Sequence, residues 1–182
     1  WAVIRQGSSA MPSEIDPQLV NRIKTLLDVQ PEGSSLLQEF YNDAEIFEHD
    51  IARIHMKSWL CVGHVSEIPK AGEWFRFDVA AEPLIIVRGS DDEVRALLNV
   101  CRHRGSVVCA ELAGNSNRLI CPYHGWTYDL KGRLRSARNM GDLDTGAHSL
   151  ASIHCRVVEG LIFVCFADEA PNFDQVAGVF QQ

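Results

Sequence analysis

The sequence contains no long hydrophobic run and no basic cluster. Its 182 residues include no stretch of 18 apolar residues, and the first ten lack the charged, apolar and small-residue regions of a secretory signal. The formal net charge of -7, with no Lys/Arg-rich run to offset it, argues against nucleic acid as a partner. We therefore expect a cytoplasmic protein that binds neither membrane nor nucleic acid.

Cysteine is too scarce for a fold stabilised by disulfides. The six cysteines are unevenly spaced, so we expect no structural disulfide. Two of them, Cys101 and Cys121, lie shortly before a histidine. The others have apolar neighbours, where a thiol usually behaves as a small buried hydrophobic group; they are Cys61, Cys109, Cys155 and Cys165.

The first 58 residues have the periodicity of helices. Residues 13–29 place apolar side chains at helical spacing after a suitable N-cap at Ser13. A linker at residues 31–35 follows, and Asp43 is suited to cap a second helix that runs to about Ser58. We predict a helical extension over residues 1–58.

From residue 59 onward, short β-like runs alternate with turn residues. We predict strands at residues 60–65, 73–79, 84–88, 94–100, 118–121 and 126–130, and a final pair around Glu159 and Gly160. The predicted fold class is mainly β with N-terminal helices, in antiparallel sheets whose connecting loops carry the functional residues. We predict a β domain over residues 59–167 and a tail over residues 168–182 that begins a helix.

Two Cys-His pairs carry the candidate chemistry. One residue separates Cys101 from His103, and two residues separate Cys121 from His124. A Rieske-type 2Fe-2S cluster needs two thiolates on one iron and two neutral imidazoles on the other, which two such mixed loops can supply. Zinc is the alternative, but zinc fingers generally pair Cys with Cys and His with His. The mixed pairs favour the cluster.

The ligand set also bears on the reduction potential. Two imidazoles in place of two thiolates make the cluster easier to reduce than an all-cysteine cluster. Hydrogen bonds to the sulfurs raise the potential further, and the apolar Trp126 that follows Gly125 supplies no hydroxyl donor. We expect a potential in the lower part of the Rieske range, roughly -150 to 0 mV.

The motifs Cys101-Arg102-His103-Arg104-Gly105 and Cys121-Pro122-Tyr123-His124-Gly125-Trp126 strongly resemble the Rieske domain of ring-hydroxylating oxygenase α subunits. The resemblance extends over most of the chain, including residues 58–59, 68–72 and 126–132. It implies a terminal oxygenase component that receives electrons from a reductase or ferredoxin and assembles as a homotrimer. It also implies a mononuclear non-haem Fe(II) in a catalytic domain that this chain lacks.

The resemblance assigns roles to individual residues. His124 is the expected electron exit and His103 the expected entry side. Arg102 and Arg104 are candidates for docking an acidic reductase surface, although solvated arginines beside a cluster are an equally good explanation.

The remaining histidines do not suggest a mononuclear iron site. Such a site needs two histidines and a carboxylate, and the nearest imitation is Asp144 with His148 and His154. Their spacing is wrong and no helical pattern supports them, so we interpret them as surface residues.

Two functions remain open from the sequence. One is the Rieske domain of a terminal oxygenase that hydroxylates or dealkylates a small organic substrate with O2. The other is a self-standing Rieske ferredoxin that carries electrons. The helical extension favours the oxygenase, because Rieske ferredoxins usually lack two leading helices. The motifs are similar both to aromatic-ring dioxygenases and to oxygenases of quaternary amines, so the substrate class is open.

Overall fold

The computed structural model describes residues 16–138 and 140–180, and the chain divides into two compact units, Trp1–Met56 and Lys57–Gln182. The first is helical and the second is built from β-sheets. Within the described part of the chain, every helix is too short or too polar to cross a membrane.

The first unit contains α1 (Pro17–Asp28), the short α2 (Glu39–Asn42) and α3 (Ala44–Arg53). Asp16 caps α1 and Asp43 caps α3, each by accepting backbone N–H groups of the first turn. Arg22 of α1 forms ion pairs with Asp43 (2.6 Å) and Glu45 (2.9 Å). These contacts join α1 to the start of α3.

The bounds of the two predicted helices needed correction. Asp43 is the cap of the second helix, as predicted, but this helix ends at Arg53 rather than near Ser58, because a 3-10 turn follows at His55–Lys57. Ser13 lies outside the described residues. The helix α1 has its N-cap at Asp16 instead, because the following proline has the fixed φ that suits a first helical position.

The second unit consists of two antiparallel sheets. The described strands are β1 (Leu60–His64), β2 (Glu73–Val79), β3 (Glu82–Arg88), β4 (Val94–Leu98), β5 (Ala113–Asn115), β6 (Leu119–Ile120), β7 (Thr127–Tyr128), β8 (Leu134–Ser136), β9 (Ser152–Val158) and β10 (Leu161–Cys165). Seven strands form a sheet in the order β1-β10-β9-β4-β3-β2-β5, and β6-β7-β8 form a small second sheet. The predicted fold class is confirmed.

Every predicted strand is present, and several are shorter than predicted. The predicted final pair is the hairpin of β9 and β10, whose turn residues Glu159 and Gly160 have φ of 48° and 79°. Two positive φ values suit the tight turn that joins antiparallel strands. The helix predicted in the tail is α4 (Asp174–Phe180). The three-residue strands β5 and β8 were missed, because alternation is not detectable over such a length.

The core of this unit lies between its two sheets. It combines side chains of the large sheet, the small sheet and the connecting loops, among them Ile85, Leu97, Cys101, Leu119, Cys121, Trp126, Tyr128 and Leu134. The two cysteines that precede histidines are therefore part of the hydrophobic core. Their loops are anchored from below by both sheets.

The prediction for the other four cysteines was partly wrong. Cys109 and Cys165 are buried, as predicted, and Cys155 is half-buried. Cys61 is exposed, because β1 is an edge strand of the large sheet, with a neighbouring strand on one side only among the described residues. All six thiols are free.

Candidate metal centre

The first Cys-His loop, residues 99–112, connects β4 to β5. Its base is fixed by Asn99, a fully buried polar residue. The Asn99 side-chain oxygen accepts the backbone N–H groups of Val108 (3.0 Å) and Cys109 (2.8 Å), and its amide donates to the Cys109 carbonyl (2.8 Å). Because these bonds lie in the core, they hold both ends of the loop at a fixed distance. Asn99 was not predicted from the sequence, because its partners are backbone groups nine and ten residues later.

The second Cys-His loop, residues 121–126, connects β6 to β7 and repeats the backbone turn of the first. In each loop the cysteine N–H donates to the carbonyl five residues later, and the glycine four residues later donates back to the cysteine carbonyl. These bonds are 2.8 and 2.9 Å around Cys101, and 2.8 and 3.0 Å around Cys121. Gly105 and Gly125 have φ of 73° and 72°, a conformation that favours glycine.

The two loops bring the four candidate ligands together in two like pairs. Cys101 and Cys121 are 3% and 2% exposed, and their sulfurs lie within hydrogen-bonding reach of each other. The ring centroids of His103 and His124 are 4.6 Å apart. In the described part of the chain, no three His, Cys, Asp or Glu side chains gather around one point suited to a single metal ion. Thiol beside thiol and imidazole beside imidazole is the donor arrangement of a cluster with two unlike irons.

The His103 ring is held in a state suited to metal binding. It stacks on the buried Trp126 ring, with centroids 4.9 Å apart and an interplanar angle of 8°. Its Nδ1 atom is buried and has no hydrogen-bond partner among the described residues. Burial, together with the charges of His124 and Arg104, lowers the pKa of His103. A neutral imidazole with an unpartnered buried nitrogen fits an iron ligand.

The Cys101 sulfur receives support from a tyrosine. The Tyr128 hydroxyl lies 3.3 Å from the sulfur and accepts the Arg102 backbone N–H at 3.1 Å, so its own proton is free for the sulfur. Burial raises the pKa of the Cys101 thiol, against the opposing hydrogen bonds from Tyr128 and the His103 N–H. A bound metal would supply the positive charge that a buried thiolate needs. Tyr128 was not predicted as part of the site, although it lies only two residues after Trp126 in a predicted strand.

A surface cavity of about 660 Å³ adjoins the centre. Both imidazoles border it, and so do the exposed side chains of Arg104 and Arg138. Arg102, by contrast, is half-buried and does not line the cavity. The cavity thus gives access to the histidine side of the centre. Cys121 also borders it but is 2% exposed, and Cys101 does not border it.

The residues interpreted as surface groups do not assemble into a second site. Asp144 and His154 are exposed, and His154 contacts the Asp168 carbonyl (3.2 Å). His148 is half-buried, with its Nδ1 2.8 Å from the Asp144 carbonyl and its ring 5.8 Å from that of Trp126, edge to face. His148 therefore packs behind the metal centre and not with His154.

Comparison with known proteins gives matches over most of the chain. Residues 58–154 match the family model of the Rieske [2Fe-2S] domain. The chain is 43% identical over 142 residues to the glycine betaine monooxygenase oxygenase subunit of Chromohalobacter salexigens, a match that covers 77% of this chain and 32% of the relative.

Two solved structures are also similar. A quaternary ammonium Rieske monooxygenase bound to L-carnitine has a TM-score of 0.71 and 34% identity, over 77% of this chain and 41% of that one. Naphthalene 1,2-dioxygenase from Rhodococcus sp. has a TM-score of 0.79 and 28% identity, over 88% of this chain and 38% of that one. The chain spans about a third of the length of the curated relatives it matches.

Proposed function

The chain belongs to the Rieske [2Fe-2S] domain family, and from this premise we propose that it is the electron-transfer domain of a terminal oxygenase component. The observation that carries the proposal is the pairing of two buried thiols and two contacting imidazoles on loops of the same turn geometry. When bound there, a 2Fe-2S cluster supplies a one-electron relay at a potential above that of all-thiolate clusters.

We propose that Cys101 and Cys121 hold one iron and that His103 and His124 hold the other. The core position of the cysteines excludes water from the thiolate side, and Tyr128 donates a hydrogen bond to one of these sulfurs. Trp126 fixes the plane of the His103 ring by stacking on it. These side chains hold and orient the ligands, and the cavity leaves the imidazole side accessible.

His124 remains our candidate for the electron exit, and His103 for the entry side. His124 contacts Tyr123, which is 59% exposed, with ring centroids 3.8 Å apart. This contact supports an outward position for His124. Of the two arginines predicted to dock a reductase, Arg104 remains a candidate because its side chain is exposed, whereas Arg102 is half-buried.

The proposed full-length protein contains more than this chain. We propose residues 59–167 as the cluster domain, residues 1–58 as a helical extension and residues 168–182 as the passage to a catalytic domain with a mononuclear iron. The oxygenase subunits among the relatives support this over a self-standing ferredoxin. A reductase or ferredoxin donor, a homotrimer and a cytoplasmic location complete the proposal.

The substrate class is also part of the proposal. The chain shares 43% identity with a glycine betaine monooxygenase subunit and 36% with a biphenyl 2,3-dioxygenase α subunit. This difference favours oxidation of a quaternary amine over oxidation of an aromatic ring.

The cluster assignment is tested by anaerobic purification of the chain, metal and sulfide analysis, and EPR spectroscopy after reduction. We expect two irons and two labile sulfides per chain with a Rieske-type signal. Stoichiometric zinc without a visible spectrum would refute the assignment. The oxygenase assignment is tested by the coding sequence downstream of Gln182: a continuation with two histidines and a carboxylate supports it, and a stop codon favours the ferredoxin.

A further inference from the structure

The arginines of this protein fall into two groups. Those remote from the Cys-His loops are mostly engaged with carboxylates, at N–O distances of 2.6 to 2.9 Å; they are Arg22, Arg76, Arg95, Arg133 and Arg135. Arg104 and Arg138 have neither an ion pair nor a side-chain hydrogen bond within residues 16–138 and 140–180. Their charges are thus available to a partner.

Arg104 and Arg138 line the same cavity, whereas Arg118, an exposed arginine that also has no ion pair or side-chain hydrogen bond among the described residues, does not. Arg104 belongs to the first Cys-His loop, while Arg138 follows β8 and lies with its Cδ 3.7 Å from the position that a Cβ on Gly125 would occupy. The cavity wall also includes His103 and His124, and no carboxylate lines it within the described residues. Two guanidinium groups from separate segments therefore border the imidazole side of the centre. No carboxylate of the cavity wall, among the described residues, neutralises their charge.

We propose that Arg104 and Arg138 form a docking site for the acidic surface of the electron-donor protein. This inference rests on the proposed function and names the partner's chemistry at that site. Carboxylates are the complementary groups for uncommitted guanidinium side chains. A donor that docks here meets the histidine side of the centre directly.

Because the chain carries a net negative charge, the two arginines can orient an acidic partner as it approaches. With a net charge of -7, this chain repels an acidic partner over most of its surface, so a local pair of uncompensated positive charges directs the approach. Such a distribution orients the encounter and raises the association rate more than the affinity.

Arg138 replaces Arg102 beside Arg104 in this docking site. Arg102 is half-buried, its backbone N–H is bound to the Tyr128 hydroxyl, and its Nε is buried without a partner among the described residues. Arg102 therefore lies too deep to meet a protein surface as Arg104 and Arg138 do. Its position suits support of the first Cys-His loop.

The test uses the cluster-loaded chain and charged small-molecule probes. The reduced protein is mixed with one of two oxidants: ferricyanide, an anion that takes one electron and becomes ferrocyanide, or the cation tris(phenanthroline)cobalt(III). The rate of oxidation is measured from the recovery of the visible absorbance of the oxidised cluster. We expect oxidation by ferricyanide to slow as ionic strength rises, and oxidation by the cobalt complex to lack this dependence. Binding is measured separately by NMR line broadening with redox-inert hexacyanochromate(III).

Variants assign the effect to the two arginines. Arg138→Gln and Arg104→Gln should each lower the ferricyanide rate about three- to tenfold at low ionic strength and weaken hexacyanochromate binding. Arg138→Lys should retain both properties, since the charge is kept. The matched control is Arg156→Gln, which removes the same charge from an exposed residue of β9 and should change neither.

The outcomes separate the inference from the proposed function. A chain without a Rieske spectrum would refute the proposed function before any rate is measured. A normal spectrum with equal rates for Arg138→Gln, Arg104→Gln and Arg156→Gln would refute the docking site alone. Self-association of the chain in sedimentation that Arg138→Gln abolishes would also overturn it, by assigning the cavity to a second copy.

Discussion

The two Cys-His loops share one backbone turn and differ in what surrounds their histidines. Each turn closes with the same pair of hydrogen bonds and a glycine at φ near 72°. His103 lies two residues after its cysteine and stacks on Trp126, which is 1% exposed. His124 lies three residues after its cysteine and contacts the exposed Tyr123.

The two histidines therefore differ in their ring neighbours, although both are half-buried and both line the cavity. The common turn places both cysteines in the core, although only the Cys101 sulfur lies beside the Tyr128 hydroxyl. The second loop has one more residue between cysteine and histidine than the first. Its His124 ring lies beside the exposed Tyr123 ring, whereas the His103 ring stacks on the buried Trp126 ring. The loops share the backbone turn at their cysteines and differ in the rings that contact their histidines.

Loss of either cysteine should have the largest effect. Cys101→Ser and Cys121→Ser should each lose most of the cluster and destabilise both loops, because metal binding and loop folding are coupled. Iron content and the visible spectrum measure this. Cys61→Ser is the matched control, since that thiol is exposed, and it should keep full iron. Normal iron in Cys101→Ser would remove Cys101 from the ligand set.

Replacement of the histidines should reveal the inequality of the loops. His124→Cys should retain iron and lower the reduction potential, because a thiolate restores negative charge at the reducible iron. The potential should move toward that of all-thiolate clusters, which is about -400 mV. His103→Cys should retain less iron, because it also loses the ring that stacks on Trp126. Redox titration and iron analysis of both variants measure this. A midpoint in His124→Cys that is unchanged or raised contradicts the ligand assignment.

A smaller shift should follow removal of the hydroxyl at the Cys101 sulfur. Tyr128→Phe should lower the potential by roughly 30–60 mV, because a hydrogen bond to the sulfur stabilises the reduced state by about 1 kcal/mol more than the oxidised one. Tyr123→Phe is the matched control, as that phenol is exposed and contacts His124 rather than a cysteine. Equal midpoints in wild type and Tyr128→Phe would show that this hydrogen bond does not tune the centre.

Tyr128 also shows what the sequence left undetermined. The predicted potential of roughly -150 to 0 mV considered only Trp126 as the donor position, and it stays a prediction. The hydroxyl reaches the sulfur because β7 pairs with β6 and returns under the first loop, a contact between residues 27 apart. A contact of this range depends on sheet register, which the local pattern does not encode.

Local chemistry, in contrast, was predictable. The Asp43 cap, the Glu159-Gly160 turn and the buried run in β3 depend on neighbouring residues, and the structure has all three. The grouping of the Cys-His pairs followed from motif spacing. Asn99 was not predicted, because its role depends on a hydrogen bond to Cys109, ten residues away. Arg138 was not predicted either, because its position in the cavity wall depends on the three-dimensional fold.

The smallest expected effect tests the equivalence of the two turns. Gly105→Ala and Gly125→Ala each force a Cβ into a left-handed conformation, which should cost about 1 kcal/mol of unfolding free energy. A Cβ at Gly105 meets no atom within 4 Å, and one at Gly125 meets only the Arg138 side chain at ordinary contact distance, so the two losses should be equal. Urea unfolding of the cluster-loaded chain measures them, with Gly141→Ala, at a residue in open space without positive φ, as the neutral control. A much larger loss of unfolding free energy at Gly125 would mean that the second turn carries strain that the first does not. The two turns would then differ in energy although their hydrogen bonds are the same.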